Sequence, residues 1–293
     1  MNAPQKIAAY TAALAVVFAV ALGLGTLWGP VDAPVSTPAD HPEPVATDAQ
    51  DAYTLELAQP LVQAGKQVPV RFRIVDGSNV AVTEYVESHE KQLHLIVVRR
   101  DLAGYQHVHP TMDDTGTWSI PLNFSEAGDY RVFADSVPRG GDATTLGADL
   151  RVAGDYRPRP LPPPATTTTV DGYTVALAGA PTAGESSELT LSVSRDGKPV
   201  TDLQPYLGAY GHLVALRAAD LDYLHVHPMG DPADPATPAG PGIGFHTSFP
   251  SAGEYRLYLD FKHRDVVRTA EFTLSVPATG QQGTAPDGHG HSH

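Results

Sequence analysis

Short runs of alternating apolar and polar residues recur along most of the chain. The runs at 68–74 (VPVRFRI), 130–133 (YRVF), 189–193 (LTLSV) and 255–258 (YRLY) repeat with a period of two. That period predicts half-buried β-strands, and beyond the N-terminal segment no stretch sustains the 3.6-residue period of a helix. About seven short strands in about 100 residues predict a β-sandwich.

One apolar stretch is of a different kind. Residues 7–28 carry no charge and are long enough to cross a bilayer as a helix. Lys6 precedes the stretch and acidic residues follow it, so the positive-inside rule places residues 1–6 in the cytoplasm and the bulk of the chain outside. A cleaved signal peptide is the alternative, but the run exceeds a typical signal core and lacks a clear cleavage site. The sequence therefore favours a retained single-pass anchor in the cell membrane.

The rest of the chain holds two copies of one domain. HLIVVRRDLAGYQHVHP, from His94, aligns without a gap with HLVALRAADLDYLHVHP, from His212. The proline-rich stretch between the copies is typical of a semi-rigid spacer. The predicted order is a cytoplasmic N-terminus (1–6), a transmembrane anchor (7–28), a proline-rich acidic tether (29–51), copy one (52–153), a linker (154–170), copy two (171–276) and a flexible His-rich tail (277–293).

Each copy also carries the signature of a tyrosine corner. The phrases EAGDY, ending at Tyr130, and SAGEY, ending at Tyr255, resemble the corner at which a tyrosine of immunoglobulin domains bonds back to the main chain. Val132 and Leu257 stand where an antibody domain has a cysteine. We therefore predict an all-β fold of two tandem immunoglobulin-like β-sandwich domains after an N-terminal transmembrane helix.

A spaced set of histidines is the main candidate for chemistry. Each copy contains His-x12-His-x-His-Pro, which gives a first triad of His94, His107 and His109 and a second triad of His212, His225 and His227. His-x-His on a strand directs both rings to one face. A hairpin turning near residues 100–101 places His94 opposite His107, and a turn near 218–219 does the same for His212 and His225. Three converging imidazoles suit Zn²⁺ or Cu²⁺, although a solvated polar face is the alternative.

The positions of the methionines favour copper over zinc. Apart from Met1 the chain has only Met112 and Met229, and each follows a His-x-His-Pro phrase. Thioether beside imidazole is a ligand set that copper prefers, while packing under a loop is the alternative role. The carboxylates of Asp135 and Asp260 are oxygen alternatives for a fourth ligand.

The remaining histidines are less regular. Copy two has His246 and His263 where copy one has prolines, which predicts that the two copies bind metal differently. His41 and His89 stand alone and are interpreted as surface residues. The tail contains His289, His291 and His293, either a weak metal-scavenging tract or low complexity without a role.

Composition narrows the function classes. The chain has 13 histidines and no cysteine, so disulfides and thiolate metal sites are excluded and imidazole, thioether and carboxylate remain as ligands. The formal net charge of −14 argues against nucleic acid as a partner.

At the HVHP and AGxYR phrases the chain resembles actinobacterial secreted or membrane-anchored proteins with immunoglobulin-like domains of the YtkA-like and CopC-like kind. The resemblance implies extracytoplasmic handling of copper or another heavy metal, and its link to CopC-like domains is at the level of fold. CopC-like domains commonly bind Cu(II) through a mature N-terminal amine. Here a tether precedes the domain, so the predicted sites rest on the local triads.

The leading hypothesis is a membrane-tethered, non-enzymatic protein that binds copper, or alternatively zinc, for buffering, resistance or delivery. Its expected partners are the metal ion and a membrane metal transporter or cuproenzyme. A metal-free immunoglobulin-like module that docks a membrane partner is the first alternative. A zinc-dependent hydrolytic enzyme is the second, but no general base stands at a fixed spacing from the triads.

Overall fold

The computed structural model describes residues 52–224 and 226–279, and all regular structure in these ranges is β. Each copy folds as a sandwich of two sheets, which confirms the predicted all-β, tandem immunoglobulin-like fold. The predicted anchor, the tether, His41, His225 and the tail histidines lie outside the described residues. Among the described residues no helix is long and apolar enough to span a membrane.

Copy one contains ten strands. They are β1 (Tyr53–Leu57), β2 (Leu61–Gln63), β3 (Gly65–Asp76), β4 (Tyr85–Val86), β5 (Leu93–Arg99), β6 (Gln106–Val108), β7 (Thr111–Met112), β8 (Trp118–Phe124), β9 (Gly128–Pro138) and β10 (Thr144–Ala153). One sheet has the order β1-β3-β8-β7. The other has the order β2-β10-β9-β5-β6, with β4 also paired to β9.

Copy two repeats this architecture with different edges. Its strands are β11 (Thr167–Val170), β12 (Tyr173–Ala178), β13 (Ser186–Arg195), β14 (Lys198–Pro199), β15 (Gly211–Arg217), β16 (Tyr223–Leu224), β17 (His227–Pro228), β18 (Gly242–Ser248), β19 (Gly253–His263) and β20 (Val266–Val276). One sheet runs β11-β12-β13-β18-β17 with β14 on β13, and the other runs β16-β15-β19-β20. Strand β11 begins within the range predicted as linker.

Alternation along the strands builds each core, as the sequence predicts. On β3 the side chains of Val70, Phe72 and Ile74 are buried while the intervening arginines are exposed. The core of copy one gathers around Trp118, which stacks on Phe72. Copy two has a separate core of the same kind around the fully buried Phe245.

Both tyrosine corners form. The hydroxyl of Tyr130 donates to the main-chain oxygen of Glu126 at 2.9 Å, and that of Tyr255 donates to the oxygen of Ser251 at 2.8 Å. Val132 and Leu257 are fully buried in their cores. Apolar packing therefore occupies the positions that a disulfide cysteine takes in antibody domains.

The predicted hairpins form, but the predicted pairing is wrong by two residues. Strands β5 and β6 pair Leu95 with Val108 and Ile96 with His107, so His94 is not opposite His107. The reason is a longer turn, in which Leu102 adopts a φ of 64° and Ala103 accepts a hydrogen bond from Arg99. The second hairpin has the matching register in its described residues, with Leu216 opposite Tyr223.

The two sandwiches pack against each other through their β5–β9 and β15–β19 faces. The buried apolar cluster between them takes four residues from each copy: Ile96, Val98, Leu102 and Phe133 with Val214, Leu216, Leu221 and Tyr258. The linker joins this packing, because Leu161 lies against the cluster and the Arg159 main-chain N–H donates to Asp101. Strand β5 is consequently buried on both faces.

Candidate functional site

The three histidines of the first triad come together. Nδ1 of His94 lies 3.1 Å from Nε2 of His107 and 3.2 Å from Nε2 of His109. One ring nitrogen from each residue falls within 4.8 Å of the other two, and this is the metal-compatible group found among residues 52–224 and 226–279. The predicted convergence of the first triad is therefore present in the structure.

Strand periodicity explains why these rings meet despite the corrected register. His107 is opposite Ile96, and His94 lies two residues before Ile96 on β5, so both rings are on the same face of the sheet. His109 is two residues beyond His107 and continues that face. This is the face turned toward copy two, since Ile96 belongs to the apolar cluster between the sandwiches.

Hydrogen bonds to acceptor-only groups assign the tautomers of two rings. Nε2 of His94 lies 3.0 Å from the main-chain oxygen of Ser88, and Nδ1 of His107 lies 2.8 Å from Oδ2 of Asp260. A carbonyl and a carboxylate can only accept, so each of these nitrogens carries the hydrogen. When both rings are neutral, the other nitrogen of each has a lone pair, and it is these two nitrogens that lie 3.1 Å apart.

Two lone pairs at that distance repel each other unless a cation lies between them. A proton on His94 or His109 is disfavoured, because burial lowers the pKa of His94 to about 4 and that of His109 to about 3, helped by the charges of neighbouring imidazoles. Zn–N bonds of about 2.0–2.1 Å in a tetrahedral site separate two nitrogens by about 3.3 Å. The observed 3.1 and 3.2 Å spacings are close to that value, so the triad fits a metal ion.

Of the second triad, His212 and His227 lie within the described residues. His212 is buried and its Nε2 donates to the main-chain oxygen of Tyr206 at 2.8 Å, as His94 does to Ser88. His227 begins β17 and is opposite His246. The ring centroid of His212 lies 6.5 Å from that of His94, so this histidine extends the first triad across the domain interface.

His89 is a member of this cluster that the sequence did not indicate. Its half-buried ring lies 6.1 Å from the ring of His94 and 5.3 Å from that of His212, so its interpretation as a surface residue is wrong. Copy two has Leu207 at the equivalent position, and both residues have a positive φ, 49° and 55°. Because His89 lies outside the repeated spacing, the comparison of the two copies could not reveal it.

The other predicted ligands have varied surroundings. Met112 pairs with Trp118 and packs on the core of copy one, whereas Met229 is 39% exposed with its sulfur beside Gly244. Asp260 contacts His107, and Asp135 is opposite His94 on the neighbouring strand. These placements leave copper and zinc both compatible with the imidazole set.

The two additional histidines of copy two serve other contacts. His263 is buried, with Nδ1 2.7 Å from the Tyr173 hydroxyl and Nε2 3.0 Å from Asp202. His246 is exposed and lies 3.8 Å from Glu188.

Comparison with protein families gives one match. A family model described as Domain of unknown function (DUF8832) matches residues 47–154 and again residues 168–278, one match for each copy. No curated protein sequence matches the chain at a significant level.

Comparison with solved structures gives matches of low similarity. The Escherichia coli adhesin FdeC is 19% identical with a TM-score of 0.26, over 78% of this chain and 64% of that one. Yersinia pseudotuberculosis InvD is 13% identical with a TM-score of 0.25, over 80% and 60%. Salmonella alpha-2-macroglobulin is 15% identical with a TM-score of 0.26, over 80% and 15%. The chain thus spans less than two thirds of the length of each.

Proposed function

The chain belongs to the family of Domain of unknown function (DUF8832), and we propose that it binds a metal ion through His94, His107 and His109. Copper is the expected ion and zinc the alternative, since imidazole suits both. The observation that carries the proposal is the pair of lone-pair nitrogens 3.1 Å apart on His94 and His107. A cation between them turns that repulsion into two coordinate bonds.

The proposed role is buffering or delivery of the ion rather than catalysis. The ion is the cargo of such a protein. The three rings that would hold it lie on the face of copy one that is turned toward copy two. Two of these rings have lowered pKa values, which keeps them neutral and able to bind a cation well below pH 7. The resemblance in the HVHP phrases supports copper handling outside the cytoplasm, with a membrane transporter or a cuproenzyme as the proposed exchange partner.

Titration of the full chain with Cu(I), Cu(II) and Zn(II), each against a competing chelator of known affinity, tests the metal site. We expect tight binding of at least one of these ions, lost when His94, His107 and His109 are all replaced by alanine. A matched variant, with alanine at His246 and His263, keeps binding because those rings contact Glu188, Tyr173 and Asp202. Binding that survives loss of the first triad would overturn the proposal.

Membrane tethering and an extracytoplasmic location belong to the same proposal and have a separate test. Residues 7–28 are the proposed anchor. In intact cells of the source organism, added protease is expected to degrade the sandwiches while the protein fractionates with membranes. A chain released in soluble form from lysed cells contradicts the anchor without affecting the metal site.

A further inference from the structure

One side chain of copy two reaches directly into the first triad. Oδ2 of Asp260 accepts a hydrogen bond from Nδ1 of His107 at 2.8 Å, between side chains that are 4% and 5% exposed. The two residues are 153 positions apart and belong to different sandwiches. His107 is therefore oriented by a carboxylate that its own domain does not contain.

The fold holds Asp260 in place from several sides. Its other oxygen accepts a hydrogen bond from the Thr269 hydroxyl at 2.5 Å. Two residues before Asp260 on the same face of β19, Tyr258 stacks on Tyr105 with ring centroids 3.9 Å apart. Tyr105 is itself two residues before His107, so one aromatic contact and one carboxylate–imidazole contact follow each other along the interface.

This arrangement matches the support that metal-ligating histidines receive in proteins. A ligating imidazole almost always donates its second N–H to a carboxylate or carbonyl, which fixes the tautomer and raises the basicity of the ligating nitrogen. In His107 donation from Nδ1 leaves the lone pair on Nε2, the atom that lies 3.1 Å from His94. A plain interdomain ion pair would not require that this nitrogen lie so close to a nitrogen of another imidazole.

We infer that the metal site of copy one is assembled across the domain interface, with Asp260 of copy two as its positioning residue. The inference rests on the proposed function and extends it, because metal binding and the docking of the two copies become one coupled equilibrium. Linkage then works in both directions, so the ion strengthens the interface and the docked interface strengthens the site.

The variant Asp260→Asn tests this role in the full chain. It keeps the size of the side chain but removes the charge and one acceptor oxygen, and we expect the affinity for Cu(II) to fall about 10- to 100-fold. The visible and electron paramagnetic resonance spectra of the bound Cu(II) should change as well, because the ligand field at His107 changes. A purely structural role would leave these spectra unaltered.

Asp202→Asn is the matched control, since it alters a second aspartate–histidine contact in copy two, the one with His263. Its carboxylate is 80% exposed and touches no residue of the first triad, so affinity and spectra should stay at the wild-type values. If Asp260→Asn folds poorly by circular dichroism, Thr269→Val replaces it. That variant removes only the hydroxyl that orients Asp260, and we expect an affinity loss of about five-fold, the equivalent of one hydrogen bond.

The outcomes separate the two claims. If His107→Ala loses the ion while Asp260→Asn and Thr269→Val bind it with wild-type affinity and spectra, the interdomain inference is overturned and the metal site stands. If the wild-type chain and His107→Ala bind metal equally, the proposed function itself fails. An affinity loss with altered spectra in Asp260→Asn, and neither change in Asp202→Asn, supports the inference.

Discussion

The two copies carry the same histidine motif, yet their described residues contribute to the site in different ways. Copy one brings His94, His107 and His109 to within ligand distance of one another. Copy two turns His212 toward that triad and supplies Asp260 to it. Packing the two copies face to face therefore lets residues of copy two support the histidines of copy one.

Two equivalent pairs of aromatic rings cross the interface between the copies, and they pack with different geometry. Tyr105 of copy one and Tyr258 of copy two are stacked at 3.9 Å with an interplanar angle of 5°. The equivalent pair, Tyr223 and Phe133, is tilted by 43° at 5.5 Å. The better stacked pair lies on the side of the interface where Asp260 meets His107, which identifies that side as the tighter one.

The largest expected effect comes from removing one histidine of the first triad, compared with removing its counterpart in copy two. His107→Ala should weaken the tightest metal binding by at least about 1,000-fold, equal to ~4 kcal/mol, because a lone-pair nitrogen of the first triad is lost. His225→Ala, its counterpart by sequence, should leave that binding in place. Equilibrium competition with a chelator measures both. Two equally tight ions per chain, one lost with each variant, would break the distinction between the copies.

The tighter side of the interface predicts the next effect. Tyr258→Ala should lower the free energy of unfolding by about 3 kcal/mol, because the ring is fully buried and stacked and its hydroxyl donates to Leu102 at 2.7 Å. Phe133→Ala, at the equivalent position of copy one, should cost less because its contact with Tyr223 is longer and it has no hydroxyl. Urea unfolding of the metal-free chain compares the two, and equal losses would contradict the asymmetry.

Much of the fold could be predicted from the sequence because it depends on local and repeated patterns. Alternation on β3, the tyrosine of each corner and the gap-free repeat all have a local physical cause, and each appears in the structure. The hairpin register was less predictable. It depends on the longer turn at Leu102, whose positive φ is not indicated by an Asn or Gly at that position.

The interdomain part of the site was beyond sequence reasoning for a different reason. The apolar run Leu95–Val98 is typical of a strand buried on both faces, but it does not say what covers the second face. Because the partner is the other copy, Asp260 and His89 join the triad only through tertiary packing. The sequence indicates Asp260 as one oxygen alternative for a fourth ligand, whereas in the structure it accepts a hydrogen bond from Nδ1 of His107.

In the metal-free chain, the buried His212 should make stability depend on pH, whereas an exposed histidine should not. Burial lowers its pKa to about 4, while an unfolded histidine titrates near 6.5. Between these values the unfolded state binds more protons, so stability falls as the pH falls from about 6.5 toward 4. His212→Ala removes one such group and should flatten this dependence by up to about 1.4 kcal/mol per pH unit. Urea unfolding at several pH values, with His246→Ala as the exposed control, measures it, and an unchanged slope would contradict the buried neutral state.

The smallest expected effect concerns the tyrosine corner, which has the same hydrogen bond in both copies. Tyr130→Phe and Tyr255→Phe each remove a single hydroxyl that donates to a main-chain oxygen four residues upstream. Each should cost about 1 kcal/mol of unfolding free energy, the usual net value of one such bond. Tyr156→Phe is the control, because that ring is 42% exposed. We expect equal losses of unfolding free energy at the two corners but unequal losses at Tyr258 and Phe133. That result would show that the copies differ at the interface between them. A markedly larger loss at one corner would instead show that the copies also differ within their sandwich cores.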